Sequence, residues 1–107
     1  MTLEEALVAV WRQVMAEQAD EVELAGRRYP VRRTPRLGLR QVDFVFGELR
    51  LRALEQNPAT RSRWAALARR GHRVLQFLSG SRYLAVVVDG RVHFYGRPPR
   101  SEADVTP

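Results

Sequence analysis

Residues 54–77, LEQNPATRSRWAALARRGHRVLQF, decide how the chain folds: they place one short, sharply bounded helix between two strands. Asn57 is a residue type whose side chain accepts from the orphan N–H groups of a first helical turn. Pro58 then falls at the first helical position, where its missing N–H costs nothing. Gly71 marks an exit through a left-handed conformation. The spacing predicts a helix over residues 58–70. At about 100° per residue, Thr60, Trp64, Leu67 and Ala68 share one side and Ser62, Arg63, Ala66, Arg69 and Arg70 the other. Trp64 and Leu67 are therefore expected in the core, with the arginines at the surface. Such a face is ordinarily just the solvated side of a helix; its sharper reading is a phosphate-contacting surface.

Upstream, residues 39–55 read as a hairpin turning at Gly47 and Glu48. That register sets Phe46 against Leu49, Phe44 against Leu51 and Val42 against Ala53 on the core face. It leaves Val45 with Arg50 and Asp43 with Arg52 outside. Asp43 is thus expected as a partner for Arg52 rather than as a catalytic carboxylate. Residues 21–33 read as another hairpin, with Gly26 and Arg27 as a two-residue turn. Leu24 then faces Tyr29, Val22 faces Val31, and Glu21 stands opposite Arg32. Pro30 cannot donate to a ladder, so this strand is expected to lie at an edge or end early. Residues 34–38, TPRLG, read as a turn or short loop.

Downstream come a strand over residues 73–78, a turn at residues 79–81 and a hairpin over residues 83–95. Asp89-Gly90 in that hairpin is a type I′ turn signal. Tyr83, Ala85, Val87, Val92 and Phe94 are expected on one face, and Leu84, Val86, Val88, Arg91, His93 and Tyr95 on the other. Both faces are partly apolar, which predicts a hairpin that is central or covered twice.

The chain opens with a helix over residues 2–19. Thr2 and Glu5 make a T-x-x-E capping box. Leu3, Leu7, Val10, Trp11, Val14 and Met15 form a one-sided stripe. That stripe packs on the sheet or, in the competing reading, forms a homodimer seam. The order is α-ββ-ββ-α-β-ββ: an α+β fold in which three hairpins plus one strand make an antiparallel sheet with two packed helices. Trp11, Phe44, Phe46, Trp64, Leu67 and Phe94 are the expected core. Residues 1–96 form a single domain. Residues 97–107, with two adjacent prolines and no apolar period, are expected to be disordered or loosely attached.

The 107 residues contain no cysteine, which removes disulfide frameworks, cysteine-ligated zinc and cysteine nucleophiles. No apolar run approaches the ~20 residues of a membrane span. Glu4 and Glu5 stand where a leader would be basic, so a cytoplasmic location without membrane contact is the expectation. Every one of the 18 basic residues is arginine; lysine and isoleucine are absent and asparagine occurs once. A G+C-rich coding sequence accounts for that choice of residue. It does not account for position. Residues 1–26 carry six acids and one arginine, whereas residues 27–73 carry 13 arginines and three acids, a local balance of +10 within a total of +6. The middle of the chain is electropositive by arrangement.

No phosphate loop, dinucleotide fingerprint or nucleophile elbow is present. His72 and His93 lack ligand-spaced partners, so no metal site, cofactor or catalytic residue is assigned. The leading function class is therefore a small basic protein binding RNA or single-stranded DNA without catalysis. Arg61, Arg63, Arg69, Arg70 and Arg73 would meet phosphates, joined by Arg32, Arg33 and Arg36. Tyr29, Tyr95 and His93, with Tyr83 beside them, would supply stacking surfaces. The alternatives are an interaction protein, binding an acidic partner or forming a homodimer through the N-terminal helix or a sheet edge, and a small metal-independent nuclease or hydrolase using His72 or His93 with Asp43 or Asp89.

Overall fold

A computed structural model describes residues 1–98. The expectation for the C-terminal segment therefore falls, from residue 99 onward, outside the described residues. Helix α1 (Leu3–Val14) leads into strands β1 (Glu21–Leu24), β2 (Arg27–Pro30), β3 (Arg32–Arg33), β4 (Arg40–Phe46) and β5 (Leu49–Glu55). Helix α2 (Arg63–Arg69) and strands β6 (Val74–Ser79), β7 (Arg82–Val88) and β8 (Arg91–Phe94) follow. Strands β3 to β8 form one antiparallel meander in sequence order, and β1 and β2 pair as a separate ribbon. The α+β class and the order of elements hold, with one additional short strand, β3.

The six-stranded sheet has two unlike faces. Its inner face is covered by α1 and the β1–β2 ribbon. Leu3, Leu7, Val10 and Val14 of α1 meet Val22 and Leu24 of the ribbon and Val42, Phe44, Leu51, Ala53, Leu75, Phe77, Ala85 and Val87 of the sheet. The stripe of α1 is thus buried within its own chain. The capping box is present in full. The helix ends at Val14 rather than running to residue 19, because the chain must turn into the ribbon; Gln13 seals that junction by exchanging two hydrogen bonds with the backbone of Glu23, at 2.8 and 2.7 Å. The outer face is covered only in part. There α2 lays Trp64, Leu67 and Ala68 on Val74, Val86 and Val88, so β7 is apolar on both sides and covered twice, as its pattern requires.

The β4–β5 register is the expected one, from Val42–Ala53 to Phe46–Leu49. Asp43 accepts from Arg52 Nε at 2.7 Å. The β7–β8 turn is at Asp89-Gly90, both with positive φ.

Four expectations need correction. The first hairpin turns at Ala25-Gly26, both left-handed, so Val22 faces Tyr29 and Leu24 faces Arg27. Glycine as the second turn residue satisfies a type I′ turn when Ala25 tolerates φ of 50°. Glu21 consequently lies near Arg28 rather than Arg32. Second, α2 begins at Arg63, with Ser62 as its cap accepting from Ala65 N at 3.0 Å. Asn57 instead closes a turn by accepting from Ala59 N at 2.9 Å, and Arg69 holds the intervening loop by donating to the carbonyls of Pro58 and Thr60. Third, a bulge at Phe77/Leu78 pairs Leu78 with Tyr83. It turns Leu84 toward the main core and Tyr83 onto the outer face. Fourth, of the expected core residues only Phe44 is fully buried; Trp11, Phe46 and Phe94 are half-buried against the main core, and Trp64 and Leu67 against the small one.

Candidate functional site

The outer sheet face carries the chemistry. Its register forms one continuous row across all six strands: Arg32, Gln41, Leu54, Gln76, Val86 and His93. With strands ~4.8 Å apart, that row spans about 24 Å. A neighbouring row runs Asp43, Arg52, Leu78, Tyr83, and beyond it Val45 pairs with Arg50. Where α2 meets this face, Trp64 lies 5.4 Å from the His93 ring, and the Arg63 guanidinium sits 4.3 Å over the Trp64 ring. Tyr83, 56% exposed, lies 5.8 Å from Tyr95 between ring centres.

Between the loop leading to α2 and the sheet runs a groove of about 540 Å³. Trp64, Tyr83 and Tyr95 supply its aromatic walls, Arg63 its mouth, and Gln56 and Gln76 its polar floor. Gln76 is 7% exposed and is the buried polar residue of the described chain. Its Nε2 donates to Gln56 Oε1 at 2.6 Å, and its Oε1 accepts from Tyr95 OH at 3.1 Å. Gln56 Nε2 in turn donates to Asn57 O at 3.0 Å and Thr60 Oγ1 at 3.2 Å.

The sequence-assigned residues divide. Arg32, Arg63, His93 and Tyr95 share the outer face. Arg61, Arg70 and Arg73 are exposed on or beside α2. Arg69 is engaged with loop carbonyls. Arg33 faces away from this surface and donates to Gly38 O at 2.9 Å. Arg36 lies exposed in the turn after β3. Tyr29 packs edge-on against Phe44, and its hydroxyl is buried without a partner among the described residues. Arg40 is structural too: it pairs with Glu55 and caps the α1 exit. Trp64 as a groove wall, and the two glutamines, are not legible as a site in the sequence. The glutamines lie 20 positions apart and meet only because β5 and β6 pair.

His72 and Asp89 do meet, Nδ1 to Oδ2 at 2.6 Å. Asp89 also accepts from Arg73 N at 2.9 Å, and Arg73 O accepts from Trp11 Nε1 at 3.1 Å. The backbone hydrogen bond from Arg73, then that from His72, hold the Asp89 carboxyl below its usual range. This pair clamps the chain after α2 to the β7–β8 turn, and it lies outside the groove. Among the described residues no group of three or more His, Asp or Glu gathers to hold a metal, and no helix is long and apolar enough to cross a membrane. Comparison with protein-family models, curated proteins and solved structures returned no match.

Proposed function

We propose that the protein binds single-stranded nucleic acid across the outer face of its six-stranded sheet. The observation that carries this reading is the gathering of Trp64, Tyr83, Tyr95 and Arg63 around one open groove, on a face that also bears Arg32 and Arg50. Bases have apolar π-faces that stack on aromatic rings, and phosphates attract guanidinium groups. An open sheet with half-exposed aromatics supplies the first; arginines on its strands and at the groove mouth supply the second. A rigid duplex keeps its base faces stacked inside and gains little from such rings. No catalytic step is part of the proposal, since the His72–Asp89 pair lies away from the groove and serves a structural connection.

Fluorescence polarisation with labelled single-stranded RNA, single-stranded DNA and duplex tests the reading. With ~5 phosphates neutralised on a single strand, affinity should fall about a hundredfold between about 50 and 200 mM salt. Single strands should also quench Trp64 fluorescence. Absence of binding at the lower salt, or equal preference for duplex, would overturn it.

A further inference from the structure

The groove floor is a hydrogen-bond relay of fixed polarity, and its leftover valences select a ligand. The polarity follows from one backbone atom. Asn57 O can only accept, so the Gln56 amide must turn its Nε2 toward it. Gln56 then presents Oε1 to Gln76, which must answer with Nε2. Gln76 therefore presents Oε1 to Tyr95, whose hydroxyl must donate. No amide in this chain can flip without setting like against like.

What remains open can be counted. Both Gln56 N–H groups are used, on Asn57 and Thr60. Gln76 keeps one N–H and one lone pair on Oε1, Gln56 keeps one lone pair on Oε1, and the Tyr95 oxygen keeps its acceptor capacity. The Gln56–Gln76–Tyr95 relay thus offers three acceptor positions against one donor, while Asn57, Ser62 and Arg63 place donors elsewhere along the groove lining. A well-matched ligand edge brings several donors and one acceptor. Among the four bases this is the Watson–Crick edge of guanine, with N1–H and the N2 amine as donors and O6 as acceptor. Adenine and cytosine bring one amine beside acceptors, and uracil brings one N–H between two carbonyls. We infer that the groove is a guanine subsite within the proposed single-strand surface, the base stacking on the aromatic walls and its donors meeting the Gln56–Gln76–Tyr95 relay. This rests on the single-strand reading and adds base selectivity to it.

The test uses the full chain and four labelled oligouridine probes whose central position is G, A, C or U, with a fifth carrying inosine. The guanine probe should bind about tenfold tighter than the uridine probe, as a well-paired base edge requires. Inosine, which lacks the N2 amine, should lose most of that gain. Tyr95→Phe takes the acceptor at the Tyr95 oxygen away and frees a lone pair on Gln76 Oε1 in its place, so it shifts one acceptor position out of register with the guanine edge and should lower the guanine-to-uridine ratio by several-fold. Binding of all probes within about twofold of each other would sink the guanine subsite while leaving the single-strand surface standing; no binding of any probe would sink both. Displacement of the guanine probe by free guanosine monophosphate at equal concentration would reassign the groove to mononucleotides and overturn the strand-borne ligand.

Discussion

Replacing Arg40 by methionine should unfasten a guanidinium that ties three segments together. Its Nε and Nη2 meet the two oxygens of Glu55 at 3.3 and 3.1 Å, and its Nη1 donates to Val14 O at 2.8 Å at the end of α1. The two side chains are 18% and 25% exposed. That places the pair between an exposed ion pair, worth up to about 1 kcal/mol, and a fully buried one, whose disruption costs about 3–5 kcal/mol. Methionine retains the stem packing, so the loss should come from the charge and the carbonyl bond. We expect Arg40→Met to cost about 2–3 kcal/mol and Glu55→Leu about 2 kcal/mol. The double variant should cost less than the sum, leaving a coupling of about 1.5 kcal/mol. Urea unfolding followed by tryptophan fluorescence measures all three, with an unchanged m value confirming a two-state comparison. In thermal melts Arg40→Met should lower Tm by about 10–15 °C. Single effects under about 0.5 kcal/mol with no coupling would refute the reasoning. Arg40 would then count among the arginines free to meet a ligand.

Arg63→Ala with Arg70→Ala should weaken single-strand binding while moving Tm little, because both side chains are exposed; a fall in Tm comparable to that of Arg40→Met would place them in a structural network. Trp64→Ala should cost about 2 kcal/mol in urea unfolding rather than the about 3–5 kcal/mol of a fully buried tryptophan, since Trp64 is half-buried on Val74, Val86 and Val88, and it should also reduce strand binding. Acid should destabilise the fold through Asp89 and Glu55. Burial pushes Glu55 upward, but the hydrogen bonds and charge of Arg40 outweigh it, so both carboxyls sit below their ordinary values. Groups depressed in the folded state contribute stability above an unfolded pKa of about 4 and lose it as pH falls through the lower folded value. Tm should therefore be flat from neutral pH to about 5 and fall below about 4, less steeply in Glu55→Gln; an unchanged acid slope in that variant would count against the assignment.

Much of this fold was legible in local chemistry. The capping box at Thr2, the Asp89-Gly90 turn and the whole register of β4 with β5 follow from side-chain types a few positions apart, where the chain has little freedom to choose otherwise. Local reasoning failed where two local solutions were nearly equal. Gly26 serves a two-residue turn as its first or second member, and only packing of the ribbon on α1 selects the second. Asn57 and Ser62 are both competent caps, and the choice falls to Ser62 because Arg69 reaches back to hold residues 58–62 as a loop. A single bulge moved Tyr83 from the core face to the groove, because strand parity inverts with one extra residue.

The arginine excess was plain in the sequence, but its meaning was not. Proximity along the chain grouped Arg32, Arg33 and Arg36, whereas strand pleating sends Arg32 outward and turns Arg33 away. Sequence alone determined an α+β domain with an electropositive middle, since composition and short-range pattern carry both. Tertiary structure decided which arginines are structural and which face solvent, and brought Gln56, Gln76 and Tyr95 into one polarised relay. Those contacts join residues 19 and 20 positions apart, a separation over which no local periodicity reports.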